Sequence, residues 1–145
     1  QNRKNFVRWK GHFMKINAGH ETLNKLAEQF ENQELEWKQN TWFSDVTTEA
    51  PHWCQTACCI AGGIVLIEGW IKTLESEVKC PITGKIKIPG ETAAEILGLN
   101  CNYAMLFLFS SDLGPINGHT LSSALRHIAN EGDIEQVWGR QSREI

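Results

Sequence analysis

No arrangement of this chain can leave the stretch from Ala57 to Ile67 in water. Its eleven residues, Ala-Cys-Cys-Ile-Ala-Gly-Gly-Ile-Val-Leu-Ile, include no charged, amide or hydroxyl side chain. A membrane-crossing helix needs about 20 apolar residues, so a run of this length is a core element and not an anchor. Ahead of it stands Pro51-His52-Trp53-Cys54-Gln55-Thr56, and Gly69 closes it. Thr56 can cap a helix by accepting a backbone N–H one turn in, and glycine suits a helix end, so a buried central helix from near Thr56 to Gly69 is expected. Apolar on every side, it would have to lie in the middle of the domain. Gly62 and Gly63 each cost roughly 1 kcal/mol against alanine in a helix interior, which points to a neighbouring element packed hard against them. A buried strand over Ile64-Val65-Leu66-Ile67 is the competing reading, because periodicity alone does not separate the two in a short apolar run.

Around this spine the pattern is mainly helical. Phe6, Trp9, Phe13 and Ile16 predict a basic amphipathic helix within residues 1–20, and Leu23, Leu26, Ala27 and Phe30 predict a second. Trp37, Trp42 and Phe43 sit among polar residues without a helical period, as an extended or irregular segment would. Thr92 to Glu95 has the spacing of a capping box, with Gly98 as a stop and Leu99 making the closing contact. Asn100 or Asn102 caps the next turn, and Tyr103 to Phe109 is expected to be buried. Thr120 starts a helix with Leu121, Ala124, Leu125 and Ile128 facing inward and Arg126 and His127 facing out. Between residues 70 and 90, Pro81-Ile82-Thr83-Gly84 followed by Lys85-Ile86-Lys87-Ile88 predicts a small β-hairpin with Cys80 at its bend. The expected fold is therefore one compact, mainly α domain over residues 1–145, with that hairpin and a partly frayed tail from residue 133.

A net charge of −3 and an ordinary apolar fraction exclude disorder and give no general affinity for nucleic acid. Five cysteines and no visible leader or membrane span predict free thiols in a cytoplasmic setting. Cys54 just ahead of the helix, or Cys59 at its start, is the candidate nucleophile, since the positive end of a helix favours a thiolate and its free N–H groups can hold an oxyanion. His52, His119 and His127 are the candidate bases. No established cysteine-enzyme signature surrounds them, and a buried cysteine is commonly a small core side chain. The alternative set His52, Cys54 and Cys59 has zinc-type ligands but lacks a paired Cys-x-x-Cys knuckle, so no cofactor is expected, with zinc as the alternative. Six tryptophans favour a binding role. Trp53, Thr56, Trp42, Arg126 and His127 are the candidate contact residues. A protein partner or a second copy is expected, and neither nucleic acid nor membrane.

Order and spacing of several motifs add a resemblance. Cys54-Gln-Thr56-Ala-Cys58-Cys59-Ile60-Ala61-Gly62-Gly63, then Ala93-Ala94-Glu-Ile-Leu97-Gly98-Leu99, then Leu108-Phe109, then Ala124-Leu125-Arg126-His127 and Gly132 resemble small uncharacterised bacterial and phage proteins with a Cys-Gly-Thr-x-x-Cys-Ile-Ala-Gly-Trp segment. Gln55 stands where those proteins have glycine and Gly63 where they have tryptophan, leaving space that Trp53 or Trp70 is expected to fill. The resemblance implies a phage or mobile-element accessory factor and carries no established reaction.

Overall fold

The computed structural model describes residues 14–39, 42–44, 57–74, 77–130 and 132–141. Among them are six helices: α1 (His20–Glu31), α2 (Ile60–Ile67), α3 (Pro89–Leu97), α4 (Cys101–Phe107), α5 (Leu121–Ala129) and α6 (Ile134–Val137). Eight short strands lie between them: β1 (Glu36–Trp37), β2 (Phe43–Ser44), β3 (Ala57–Cys58), β4 (Ile71–Leu74), β5 (Glu77–Lys79), β6 (Ile86–Lys87), β7 (Leu113–Pro115) and β8 (Trp138–Arg140). They form three sheets, ordered β1-β3-β2, β4-β5-β6 and β7-β8. The fold is therefore mixed α/β, which corrects the mainly α expectation. Strands of two to four residues are too short to show an alternating pattern, and two of the sheets pair segments far apart in sequence.

The apolar run does form the spine. Ile60, Ile64 and Val65 are completely buried, and α1 and α3 pack against α2. Its helix begins later than expected, however, because Ala57 and Cys58 are the central strand of the first sheet, parallel to β1 and antiparallel to β2. Cys59 is the N-cap, its Sγ accepting from Gly62 N at 3.4 Å. The cap expected from Thr56 lies outside the described residues, as do positions 1–13 of the expected basic helix. Residues 14–19 are not helical: Asn17 and Ala18 donate to Leu97 O at the end of α3, and Met14 O accepts from Ile134 N.

At Gly63, a Cβ would lie 2.5 Å from Leu26 Cδ1, so the close neighbour anticipated there is α1. Leu26 takes the space at Gly63; Trp53, one of the two residues expected to fill it, lies outside the described residues. Ile88, and not Thr92, is the N-cap of α3: Pro89 supplies the fixed φ of a first helical residue, while Thr92 Oγ1 donates back to Ile88 O at 3.3 Å. Gly98 ends that helix at φ 68°, with Leu99 N donating to Ala94 O. Asn100 caps α4 through Tyr103 N. Leu106 departs from the expected burial of Tyr103 to Phe109, since it is exposed.

Residues 133–141 of the tail expected to be partly frayed enter the core, and residues 142–145 lie outside the described residues. Ile134, Val137 and Trp138 are buried, and β8 pairs antiparallel with β7, Pro115 opposite Trp138. Three apolar residues in a polar stretch form one helical turn and one strand, too little for either period to be legible.

Candidate functional site

The thiols are sorted by burial. Cys58 and Cys59 are sealed in the core. Burial pushes the Cys59 thiol up to about 11, against a smaller opposite pull from the backbone N–H groups of Gly62 and Ala61. Burial, then its neighbour Cys59, raises the Cys58 thiol further. Both are protonated at neutral pH, so Cys59 is not poised as a nucleophile, and as a metal ligand it would first have to lose a tightly held proton. The α2 N-terminus is also occupied. Gln39 Oε1 accepts from Trp37 Nε1 at 3.0 Å and from Ile60 N at 3.4 Å, while Gln39 Nε2 donates to Leu108 O and Ser110 O at 3.1 Å each. Cys54, His52, Trp53 and Thr56 lie outside the described residues. Among the described residues no group of three or more His, Cys, Asp or Glu side chains is arranged to hold a metal ion.

Cys80 behaves differently. It sits at the predicted bend between β5 and β6, where the Thr83 hydroxyl, then the Thr83 and Ile82 backbone N–H groups, hold its thiol below the ordinary value. Cys101 is exposed, but partial burial and the charges of Glu91 and Glu95 raise its thiol. Among these four cysteines, iodoacetamide near neutral pH should therefore modify Cys80 first, Cys101 later, and Cys58 and Cys59 only on unfolding. Peptide mapping over time checks this; early modification of Cys59 would contradict it.

His119 and His127, which the sequence did not place together, lie with ring centroids 5.9 Å apart. Thr120 makes the expected cap on α5, as a reciprocal pair in which Thr120 Oγ1 accepts from Ser123 N and Ser123 Oγ accepts from Thr120 N. His119 Nδ1 is hydrogen-bonded to Ser123 Oγ at 2.8 Å. Although this brings a hydroxyl to an imidazole, the hydroxyl is already part of a helix cap, and no carboxylate among the described residues is hydrogen-bonded to His119 to orient it as a base. Nε2 of His127 is buried without a hydrogen-bond partner among the described residues. Gly132 makes room for this ring: a Cβ there would stand 2.3 Å from both Cδ2 and Nε2, and 2.7 Å from His127 O. Arg126 reaches across to α1, donating to Glu31 Oε1 at 2.5 Å. That contact, then one from Ser122, holds the Glu31 carboxyl below its ordinary value. Arg126 thus braces two helices.

Beside His127 runs a small acidic cluster. Tyr103 donates to Glu135 Oε2 at 3.3 Å, and Asp133 caps α6 by accepting from Glu135 N at 3.2 Å. Burial, opposed by the Glu135 N–H, Lys15 and His127 and reinforced by the Glu135 charge, raises the Asp133 carboxyl above its ordinary 3.8. The native state thus holds the Asp133 proton more tightly than the unfolded chain. Its stabilising share is fully present below pH 3.8 and is lost as pH rises through the higher native value. Asp133→Asn keeps an acceptor for the cap and removes the buried charge. It should raise the melting temperature at pH 7, with the gain shrinking toward pH 4; a lower melting temperature at pH 7 would show that the ionised carboxylate is needed.

None of the described tryptophans is an exposed anchor. Trp138 is buried, Trp37 lies against it with ring centroids 6.0 Å apart, and Trp42 and Trp70 are half-buried against the core. Trp42 wedges over α3, where a Cβ on Gly90 would meet it at 2.9 Å and Met105 Sδ at 2.6 Å.

The exposed apolar groups are elsewhere. Ile71, Ile82, Ile86 and Ile88 retain 47%, 90%, 55% and 51% of their accessible surface. Register gathers two of them around a lysine: Ile71 pairs with Lys79, and Lys79 with Ile86, so these three side chains form one row on one face of the β4-β5-β6 sheet. Ile88, two residues beyond Ile86, continues that face by alternation. The neighbouring row, Lys72, Val78 and Lys87, belongs to the opposite face, and there Val78 is completely buried in the core. Ile82 stands at the tip of the turn. The sequence marks the hairpin, but an Ile-Lys alternation reads the same whichever face is inward, so exposure of the isoleucines was not legible in it.

Compared with family models, with curated proteins and with solved structures, the chain gives no match. Among the described residues, fold and surface define a small mixed α/β protein with solvent-facing isoleucines on the β4-β5-β6 sheet. No helix among the described residues is long and apolar enough to cross a membrane.

Proposed function

We propose that this protein acts by binding another protein, and that the outward face of β4-β5-β6 is its docking surface. The observation that carries the reading is the register that sets Ile71 and Ile86 on either side of Lys79, with both isoleucines about half exposed. Single exposed apolar residues are ordinary, whereas several gathered on one sheet face mark an interaction site. The sheet is also well founded: Val78 anchors its other face, and Lys87 Nζ pairs with Glu95 Oε1 at 3.0 Å to fix β6 against α3. The motif order shared with small bacterial and phage proteins supports a cytoplasmic accessory factor as the setting.

Photo-crosslinking tests this directly. A benzophenone amino acid at Ile86 should give a discrete, saturable adduct in the cells that make the protein, and Ile71→Asp should abolish it. An adduct that forms equally from the exposed position Glu28 on α1, or that survives Ile71→Asp, would sink the proposal.

A further inference from the structure

We infer that the partner of the outward β4-β5-β6 face is a second copy of this chain, docked face to face about a two-fold axis that crosses β5 over Val78; this rests on the reading of that face as a docking surface. Two rows lie across it. The first is Ile71, Lys79 and Ile86. In the second, Glu77 stands two residues before Lys79 on β5 and so shares its face, and the register that pairs Val78 with Lys87 and Lys79 with Ile86 brings Glu77 opposite Ile88. Each row therefore sets one charge beside isoleucine, positive in the first and negative in the second. Lys79 is exposed and Glu77 half-buried, and neither makes an ion pair among the described residues, whereas Lys87 on the opposite face is held by Glu95.

This pattern is complementary to itself. A two-fold axis lying in the interface, perpendicular to β5 at Val78, exchanges the two rows, so Lys79 of each copy faces Glu77 of the other and Ile86 of each faces Ile88 of the other. No like charges are opposed. Facing sheets stand about 10 Å apart, a gap that a lysine and a glutamate side chain close together when they reach in from either side. A uniformly acidic or uniformly basic partner would satisfy one of the two charges and oppose the other. Strands of four, three and two residues make a face smaller than the roughly 800 Å² per partner of a standard interface, so the expected dimer is transient and concentration-dependent.

Isoleucine-methyl NMR and sedimentation velocity of the full chain, across micromolar to millimolar concentrations, test the inference. The Ile71, Ile86 and Ile88 methyls should shift with protein concentration as sedimentation moves from monomer toward dimer. Lys79→Glu alone and Glu77→Lys alone each oppose like charges twice across the axis, and each should weaken association about tenfold or more. An equal mixture of the two variants restores both pairs in the heterodimer and should recover the parent affinity, as should the two substitutions combined in one chain. Recovery of this kind separates charge pairing from a folding defect. Association that ignores Lys79→Glu, that the mixture does not recover, or that leaves these methyls unshifted overturns the arrangement. A chain that stays monomeric throughout overturns the second copy as partner. Crosslinking from Ile86 then tells the two readings apart: an adduct that is not twice the mass of the chain keeps the docking face and removes self-pairing, and no adduct at all removes both.

Discussion

Replacing Trp138 by alanine is expected to lower the unfolding free energy by about 3–5 kcal/mol, the range for emptying a buried aromatic site. Among the described residues Trp138 is the largest fully buried side chain and keeps 1% of its surface exposed. It sits at the first position of β8, directly after α6, so its indole joins the β7-β8 sheet to the centre of the molecule. Nε1 donates to Leu108 O at 2.9 Å, and Trp37 lies against the ring. Alanine would leave a cavity and remove one of two donors to that carbonyl; the other, Gln39 Nε2, remains and limits the polar cost. Trp138→Phe keeps most of the volume and should cost about 1–2 kcal/mol. Urea unfolding of both variants checks this. An alanine variant within about 1 kcal/mol of the parent would mean that residues 133–141 unfold separately from the core.

Gly63→Val is expected to cost about 2–3 kcal/mol, because added bulk in a close-packed interior forces side chains and backbone to shift. Leu26 Cδ1 stands 2.5 Å from where the new Cβ would be, and Leu26 itself is completely buried, with no solvent to move into. Gly63→Trp should prevent folding for the same reason. A double-mutant cycle isolates the contact. Leu26→Ala alone should destabilise by about 2–5 kcal/mol. In that background Gly63→Ala should become stabilising, since the obstruction is gone and alanine gains roughly 1 kcal/mol of helix propensity. Additive effects across the cycle would show that these side chains do not compete for the same space.

The contrast between these two sites shows where sequence reasoning holds. At Gly63 the inference needed only local facts: glycines inside an apolar helix are costly unless something presses on them. At Trp138 the local facts pointed to a loose tail, because one tryptophan among Asp133, Glu135, Gln136 and Arg140 reads as surface. Its burial depends on β7, more than twenty residues earlier, presenting an edge for β8 to join. His119 and His127 meet for a related reason: the turn before Thr120 folds back along α5, which no spacing rule encodes. Cys59 was singled out for being near a helix start, yet depth in the core decides its chemistry and keeps it protonated.

The sequence alone determined that the core of the apolar run, residues 58–65, is buried, that α1, α2 and α5 form, where Gly98 ends α3, and that a hairpin turns at Pro81 to Gly84. Each rests on interactions within about one helical turn, through periodicity, capping or turn chemistry, and such signals are carried by adjacent residues. Only the tertiary structure decided the three small sheets, the docking of the last strand, and which face of the β4-β5-β6 sheet meets solvent. Those outcomes depend on pairings between distant segments, where register selects the buried face. A two-residue strand holds no pattern from which register could be read.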